Sequence, residues 1–218
     1  MSFAPKVELE PKTTALVIID MQYASASPTK GLASILRDKD LAHLGEYRFN
    51  RLEKTVIPSI RKLLGYFRAN ELPVIYVTLG SEKGDFSDIA PPLRLVEAEL
   101  DNRVGSETHE ILAELRPLDY EIVVNKTTIS AFTSSPIDAM LRRLGIKNLI
   151  FTGVSTSQCV ETTARDAADR GYGCVLVEDG CAEDEEDQHN ATLKQFARIF
   201  GRVSTTAAII EELQRKNS

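Results

Sequence analysis

The chain is short of the residues that commonly announce a function. It has no tryptophan, three methionines, three cysteines and three histidines among 218 residues. The cysteines, Cys159, Cys174 and Cys181, are odd in number and show no CxxC spacing, which argues against a disulfide framework and a structural zinc site. His43, His109 and His189 stand in dissimilar polar surroundings without metal-ligand spacing and are read as solvated side chains. Neither GxGxxG nor GxxxxGK[ST] occurs, so a nucleotide phosphate site has no support. No apolar run approaches the roughly 20 residues that cross a bilayer, and the opening MSFAPKVELEPK lacks the apolar core of a secretory signal. A cytoplasmic protein is expected. With 26 basic against 32 acidic residues, a net charge of −6 gives no attraction to nucleic acid or an anionic membrane. The expected partner is a small molecule, with no metal and no cofactor.

What is present is a rhythm. Short continuous apolar runs lie at 13–20, 73–79, 120–126, 147–153 and 172–179, with a weaker one at 202–204. Runs of this length, without alternation, suit strands covered on both faces. Helical periodicity fills the intervals. At 51–69 it aligns Val56, Ile60, Leu63, Leu64 and Phe67, and at 187–201 Leu193, Phe196, Ala197 and Phe200. Further helices are expected at 136–144, 157–170 and 205–214, and a shorter one around Ile111 and Leu115. Strands alternating with helices imply βαβ crossovers. The expected fold is a three-layer α/β sandwich, Rossmann-like, with a mostly parallel sheet of five to six strands, formed by one domain over 1–218. The stretches 23–50 and 80–102 break the rhythm, hold Gly and Pro, and follow strand C-termini; they are candidate lids or plain surface loops.

Three residues stand out by position. Asp20 ends the first strand, Lys126 ends the third, and Cys159 opens the helix after the fourth. A parallel sheet would gather all three at its C-terminal edge. A helix N-terminus and a cation both lower a thiol pKa, so Cys159 reads as a nucleophile with Asp20 as base and Lys126 as orienting cation. On position alone, a small buried hydrophobe fits Cys159 equally well, and Asp20–Lys126 also fits a structural ion pair. Cys174 lies within an apolar strand and is read as packing. Cys181 follows EDG in what reads as an exposed loop. The acidic run EDEEDQH, at 183–189, reads as a solvated loop leading into a charged helix start.

The segments ALVIIDMQ (15–22), NK (125–126), SAF (130–132), TGVSTSQCVETT (152–163) and FGRVSTTAAII (200–210) resemble the isochorismatase-like cysteine hydrolases. The resemblance implies an Asp–Lys–Cys triad matching Asp20, Lys126 and Cys159. It also implies a cis peptide at Val154–Ser155, with the amides of Ser155 and Cys159 forming an oxyanion hole. The region after Asp20 lacks the closely spaced histidines of the family's nicotinamidase branch, which argues against a bound metal. The resemblance leans toward C–N hydrolysis of a small amide, ureido or carbamoyl compound through a thioester-type acyl-enzyme, releasing ammonia or an amine. Gln22, Tyr23 and Phe132 are then candidate substrate-binding residues. Vinyl-ether hydrolysis of the isochorismatase type and a non-catalytic redox or partner-binding role are the alternatives. The family's habit of association implies a homo-oligomer, dimer or tetramer.

Overall fold

The computed structural model describes Phe3 and residues 6–217; residues 1, 2, 4, 5 and 218, which include part of the opening stretch, lie outside the described residues. Along the chain come β1 (Thr14–Ile19), α1 (Tyr23–Ala26), α2 (Leu32–Asp38), α3 (Glu46–Arg51), α4 (Ile57–Ala69), β2 (Val74–Leu79) and α5 (Pro91–Glu99). There follow β3 (Ile122–Lys126), α6 (Ala131–Ser134), α7 (Ile137–Arg143), β4 (Asn148–Val154), α8 (Glu161–Asp169), β5 (Gly173–Ala182), α9 (Glu186–Ile199), β6 (Arg202–Ser204) and α10 (Thr206–Asn217). A π-helical segment, Leu52–Val56, joins α3 to α4 without a break.

Among the described residues the strands form a six-stranded sheet in the order β3-β2-β1-β4-β5-β6, and every neighbouring pair is parallel. All of β1 is buried, and its alternating side chains feed two separate cores. Leu16 and Ile18 pack with Ile60, Leu63, Leu64 and Phe67 of α4 on one face. Ala15, Val17 and Ile19 pack with Ile137, Leu141, Ala164 and Phe196 on the other. Each Val, Leu or Ile buried in this way contributes about 1.5–3 kcal/mol relative to exposure. The unbroken apolar run is therefore explained by helices on both sides.

The expected helix around Ile111 and Leu115 is reduced to a 3-10 turn, Ala113–Leu115. Ile111 instead makes an antiparallel bridge to Gln22, and the N–H of Leu112 donates to the carbonyl of Met21. Backbone groups committed to that pairing cannot also close helical turns. The two candidate lids are not irregular loops. Residues 23–50 fold into α1, α2 and most of α3, and residues 80–102 contain α5. Lys39 and Glu99 form an ion pair between the two segments. Cys181 is not exposed; it is fully buried at the end of β5, which pairs with β4 through a register shift between Phe151 and Gly153. No described helix is long and apolar enough to cross a membrane.

Candidate active site

The strand order reverses between β1 and β4, so their crossovers leave in opposite directions and open a crevice beyond their C-terminal ends. Asp20 lies immediately past β1, and Cys159 lies in a π-helical turn, Thr156–Val160, that runs from β4 into α8. Gly153 lets the two strand ends close together. Its φ is 116°, and a Cβ there would fall 2.0 Å from the carbonyl oxygen of Ile19. Asp20 itself adopts φ 52°, a left-handed conformation that Asp tolerates better than most residues. This turns the chain sharply out of the sheet. Ser25 Oγ pins the turn by donating to the Asp20 carbonyl at 2.6 Å.

Lys126 ends β3, two strands from β1, with Leu79 of β2 beside it in register. Its side chain spans that gap. Nζ lies 2.9 Å from Asp20 Oδ2 and donates to Cys159 Sγ at 3.2 Å. Lys126 is 0% exposed and Asp20 3%, so the ammonium and the carboxylate depend on each other. Asp20 Oδ1 is buried with no hydrogen-bond partner. The three residues singled out by position therefore meet.

The electrostatics correct one expectation. The helix start and Lys126 do not on balance lower the Cys159 thiol pKa. Burial raises the Cys159 thiol pKa, Lys126 opposes this, and Asp20 adds to it; the result is a thiol pushed up to about 12. One ammonium already balances one carboxylate, and a thiolate would be a second buried anion beside a single cation. Burial also works against the Lys126 ammonium, but Asp20 and Cys159 outweigh it and the pKa is raised. Burial thus favours the neutral form of the thiol beside the Asp20–Lys126 ion pair.

The turn that carries Cys159 is held by buried polar residues, of which Glu183 and His189 read as solvated in the sequence. The Val154–Ser155 peptide is cis. Arg48, buried on α3, donates to Ser155 Oγ at 2.7 Å and to Asp184 Oδ1 at 3.0 Å, and also to the Ser25 carbonyl. Glu183, fully buried, accepts the Ser157 N–H at 2.7 Å. His189 is buried too: Thr156 Oγ1 lies 2.9 Å from its Nδ1, and Arg51 lies 2.9 Å from its Nε2. Burial and then the Arg51 charge depress its pKa to about 4. Of the three histidines read as solvated, His43 is exposed, His109 is half-buried and hydrogen-bonded to Asn125, and His189 is a buried brace. The acidic run does lead into a charged helix start, with Glu186 and Asp187 in the first turn of α9 and residues 185–188 exposed, but Glu183 and His189 depart from the solvated reading. Glu183 caps a turn distant in sequence, and local charge density carries no trace of that.

A cavity of about 320 Å³ lies over Asp20 and Cys159, while Lys126 is not part of its lining. It is lined by Asp20, Ser155 and Cys159, and also by Arg48, Glu97 and Asn102, which sequence reasoning did not single out. This volume is near the lower end for ligand pockets and suits a small substrate. Gln22 reaches the cavity, but its amide is spent on backbone. Both hydrogens go to the carbonyls of Leu79 (3.0 Å) and His109 (2.9 Å), and Oε1 accepts the Leu79 N–H at 2.8 Å. It ties β1 to β2 and has no N–H left for a substrate. Tyr23 packs on the core beside α4 with Lys30 over its ring, and it does not line this cavity. Phe132 packs against Tyr172 and beneath Arg170, away from the lining. Phe132 belongs to the same core cluster as Cys159 but points into that core, not into the cavity.

Residues 14–208 match the isochorismatase domain. A ureidoacrylate amidohydrolase from Acinetobacter baylyi is 30% identical over 224 residues, covering 95% of this chain and 86% of the relative. Among solved structures, a cysteine hydrolase from Pseudomonas syringae pv. phaseolicola superposes with TM-score 0.80 at 26% identity, covering 97% of both chains. An N-carbamoylsarcosine amidase from Thermoplasma acidophilum does so with TM-score 0.67 at 25% identity, over 89% of this chain and 96% of its own.

Proposed function

This chain belongs to the isochorismatase domain family, and on that premise we propose that it is a cysteine hydrolase that cleaves a C–N bond of a small amide, ureido or carbamoyl compound. One observation carries the reading: a single buried ammonium bonds both a carboxylate and a thiol at the wall of a small cavity. The relatives named as ureidoacrylate amidohydrolase and N-carbamoylsarcosine amidase support the choice of substrate class.

The neutral thiol dictates the order of events. As Sγ of Cys159 forms a bond to the substrate carbonyl carbon, its proton passes to Asp20, so no free thiolate is built in the apolar wall. Lys126 holds the carboxylate and the sulfur in register throughout. The carbonyl oxygen becomes an oxyanion, received by the amides of Ser155 and Cys159. Asp20 returns its proton to the nitrogen, the C–N bond breaks, and ammonia or an amine leaves a thioester on Cys159. Water, deprotonated by the same carboxylate, then attacks the thioester, and the proton returns to the departing sulfur. The net reaction consumes one water and yields an acid and an amine.

The test is ammonia release from a panel of carboxamides and ureido acids, with isochorismate as the vinyl-ether control. Cys159→Ala should abolish turnover, with an unchanged circular dichroism spectrum. Near-normal rates in that variant would refute the mechanism, and activity confined to isochorismate would refute the C–N assignment.

A further inference from the structure

The mechanism leaves one ionisable group of the cavity unused. Glu97 projects from the inner face of α5 and is 5% exposed, whereas Glu99, two residues on, pairs outside with Lys39. Asn102 folds back over Glu97. Its backbone N–H donates to the Glu97 carbonyl at 3.0 Å. Its side-chain Nδ2 donates to Glu97 Oε2 at 2.7 Å and to the Leu79 carbonyl at 2.8 Å. Those two acceptors fix the orientation of the amide, since a flip would turn an oxygen onto both of them. Both donor hydrogens are thereby spent, and Asn102 Oδ1 is left buried with no partner.

Among the described residues Glu97 forms no ion pair. The charges acting on it are Asp20, which opposes its ionisation, and Lys126, which favours it; Lys126 is already committed to Asp20 and Cys159. The neighbouring lining residues Leu79, Leu93, Val96 and Leu100 offer apolar side chains. This part of the cavity is therefore rich in acceptors and poor in donors. A buried acceptor without a donor is costly, and a ligand supplying N–H groups would relieve that cost.

We propose that Glu97 and Asn102 form an acceptor pair that binds an N–H group flanking the scissile carbonyl, so that the enzyme selects ureido compounds with unsubstituted nitrogens over N-alkylated ones. The inference rests on the C–N hydrolase reading of the same cavity. Burial, opposed by the Asn102 hydrogen bond, brings the Glu97 carboxyl up to about 7. Because the ionised carboxylate is the better acceptor, binding weakens as pH falls through that value. Asp20, Lys126 and Asn102 are the groups that face it and set it.

The experiment compares kcat/KM for N-carbamoylglycine, N-carbamoylsarcosine (methylated on the internal nitrogen) and N-(methylcarbamoyl)glycine (methylated on the terminal one). The wild type should disfavour at least one methylated compound by about 10- to 100-fold, the worth of a charge-assisted hydrogen bond. In Glu97→Ala that ratio should fall to within about threefold of unity. If Glu97→Ala fails to fold, Glu97→Gln keeps an acceptor for Asn102 without the charge; it should lower the ratio and remove the step near pH 7. A ratio that survives both substitutions, or a wild type indifferent to methylation, overturns the inference. Calorimetric binding of the same three compounds to Cys159→Ala separates the two readings. A Glu97-dependent preference in binding, with no turnover by the wild type, sinks the hydrolase reading alone. Turnover with a Glu97-independent preference sinks this inference alone.

Discussion

Replacing Glu97 by glutamine should stabilise the protein in alkaline solution and change it little in acid. Glu97 is buried, and its carboxyl pKa is raised from 4.5 in the unfolded chain to about 7 in the fold. A group whose folded pKa is raised favours the folded state below its unfolded pKa. That contribution is lost as pH climbs through the folded value, because ionisation then has to occur inside the protein. With 1.36 kcal/mol per pKa unit, the loss amounts to about 3 kcal/mol, most of it between pH 4.5 and about 7. Glutamine has no charge to bury and still offers Asn102 an acceptor, so the variant escapes the loss. His189 tilts the other way. Its depressed pKa favours the fold above 6.5 and withdraws that support as pH falls toward about 4. It is present in both proteins and cancels in the difference. The measurement is urea unfolding at closely spaced pH values between about 5 and 8.5. The gap between variant and wild type should widen with pH toward about 3 kcal/mol, or about 6–12 °C in Tm for a domain of this size. Parallel stability curves across that range would refute the assignment of a buried carboxyl without a counter-ion.

Lys126→Met should destabilise the protein by about 3–5 kcal/mol in urea unfolding, because it strands the Asp20 carboxylate in a closed site. Adding Asp20→Asn should restore part of that stability without restoring turnover; a cost below about 1 kcal/mol for the single change would contradict the mutual dependence of the pair. Alkylation of Cys159 by iodoacetamide, measured against a Cys159→Ala blank, should be slow at neutral pH. It should climb without a plateau to at least about pH 10, as follows from a thiol held near about 12. A plateau near pH 7 would show a resting thiolate and reverse the order of proton transfer.

The sheet was legible because its signal is local. Residues 15–19 are apolar without interruption, and that distinguishes a strand covered on both faces from one with a wet face. Asp20, Lys126 and Cys159 were legible for a related reason: Asp20 and Lys126 stand where an apolar run stops and Cys159 opens the helix after one, and in a parallel sheet all such points share one edge. Glu97, Asn102, Glu183 and His189 were not. Each is a charged or polar residue, for which exposure is the ordinary outcome, yet each is buried. Tyr23 and Phe132 erred in the opposite direction. The family resemblance suggested them as pocket walls, but both rings pack into the core instead.

The sequence by itself determined the layered α/β architecture, the strands, and which carboxylate, amine and thiol would share the sheet's edge, since periodicity and the ends of apolar runs are properties of neighbouring residues. Only the tertiary structure decided that burial raises the thiol pKa, that Gln22 is a brace, and that a carboxyl without a counter-ion faces the cavity. Those outcomes depend on desolvation, Coulomb interactions and hydrogen bonds between groups as far apart in sequence as Asp20 and Cys159, and no local pattern contains them.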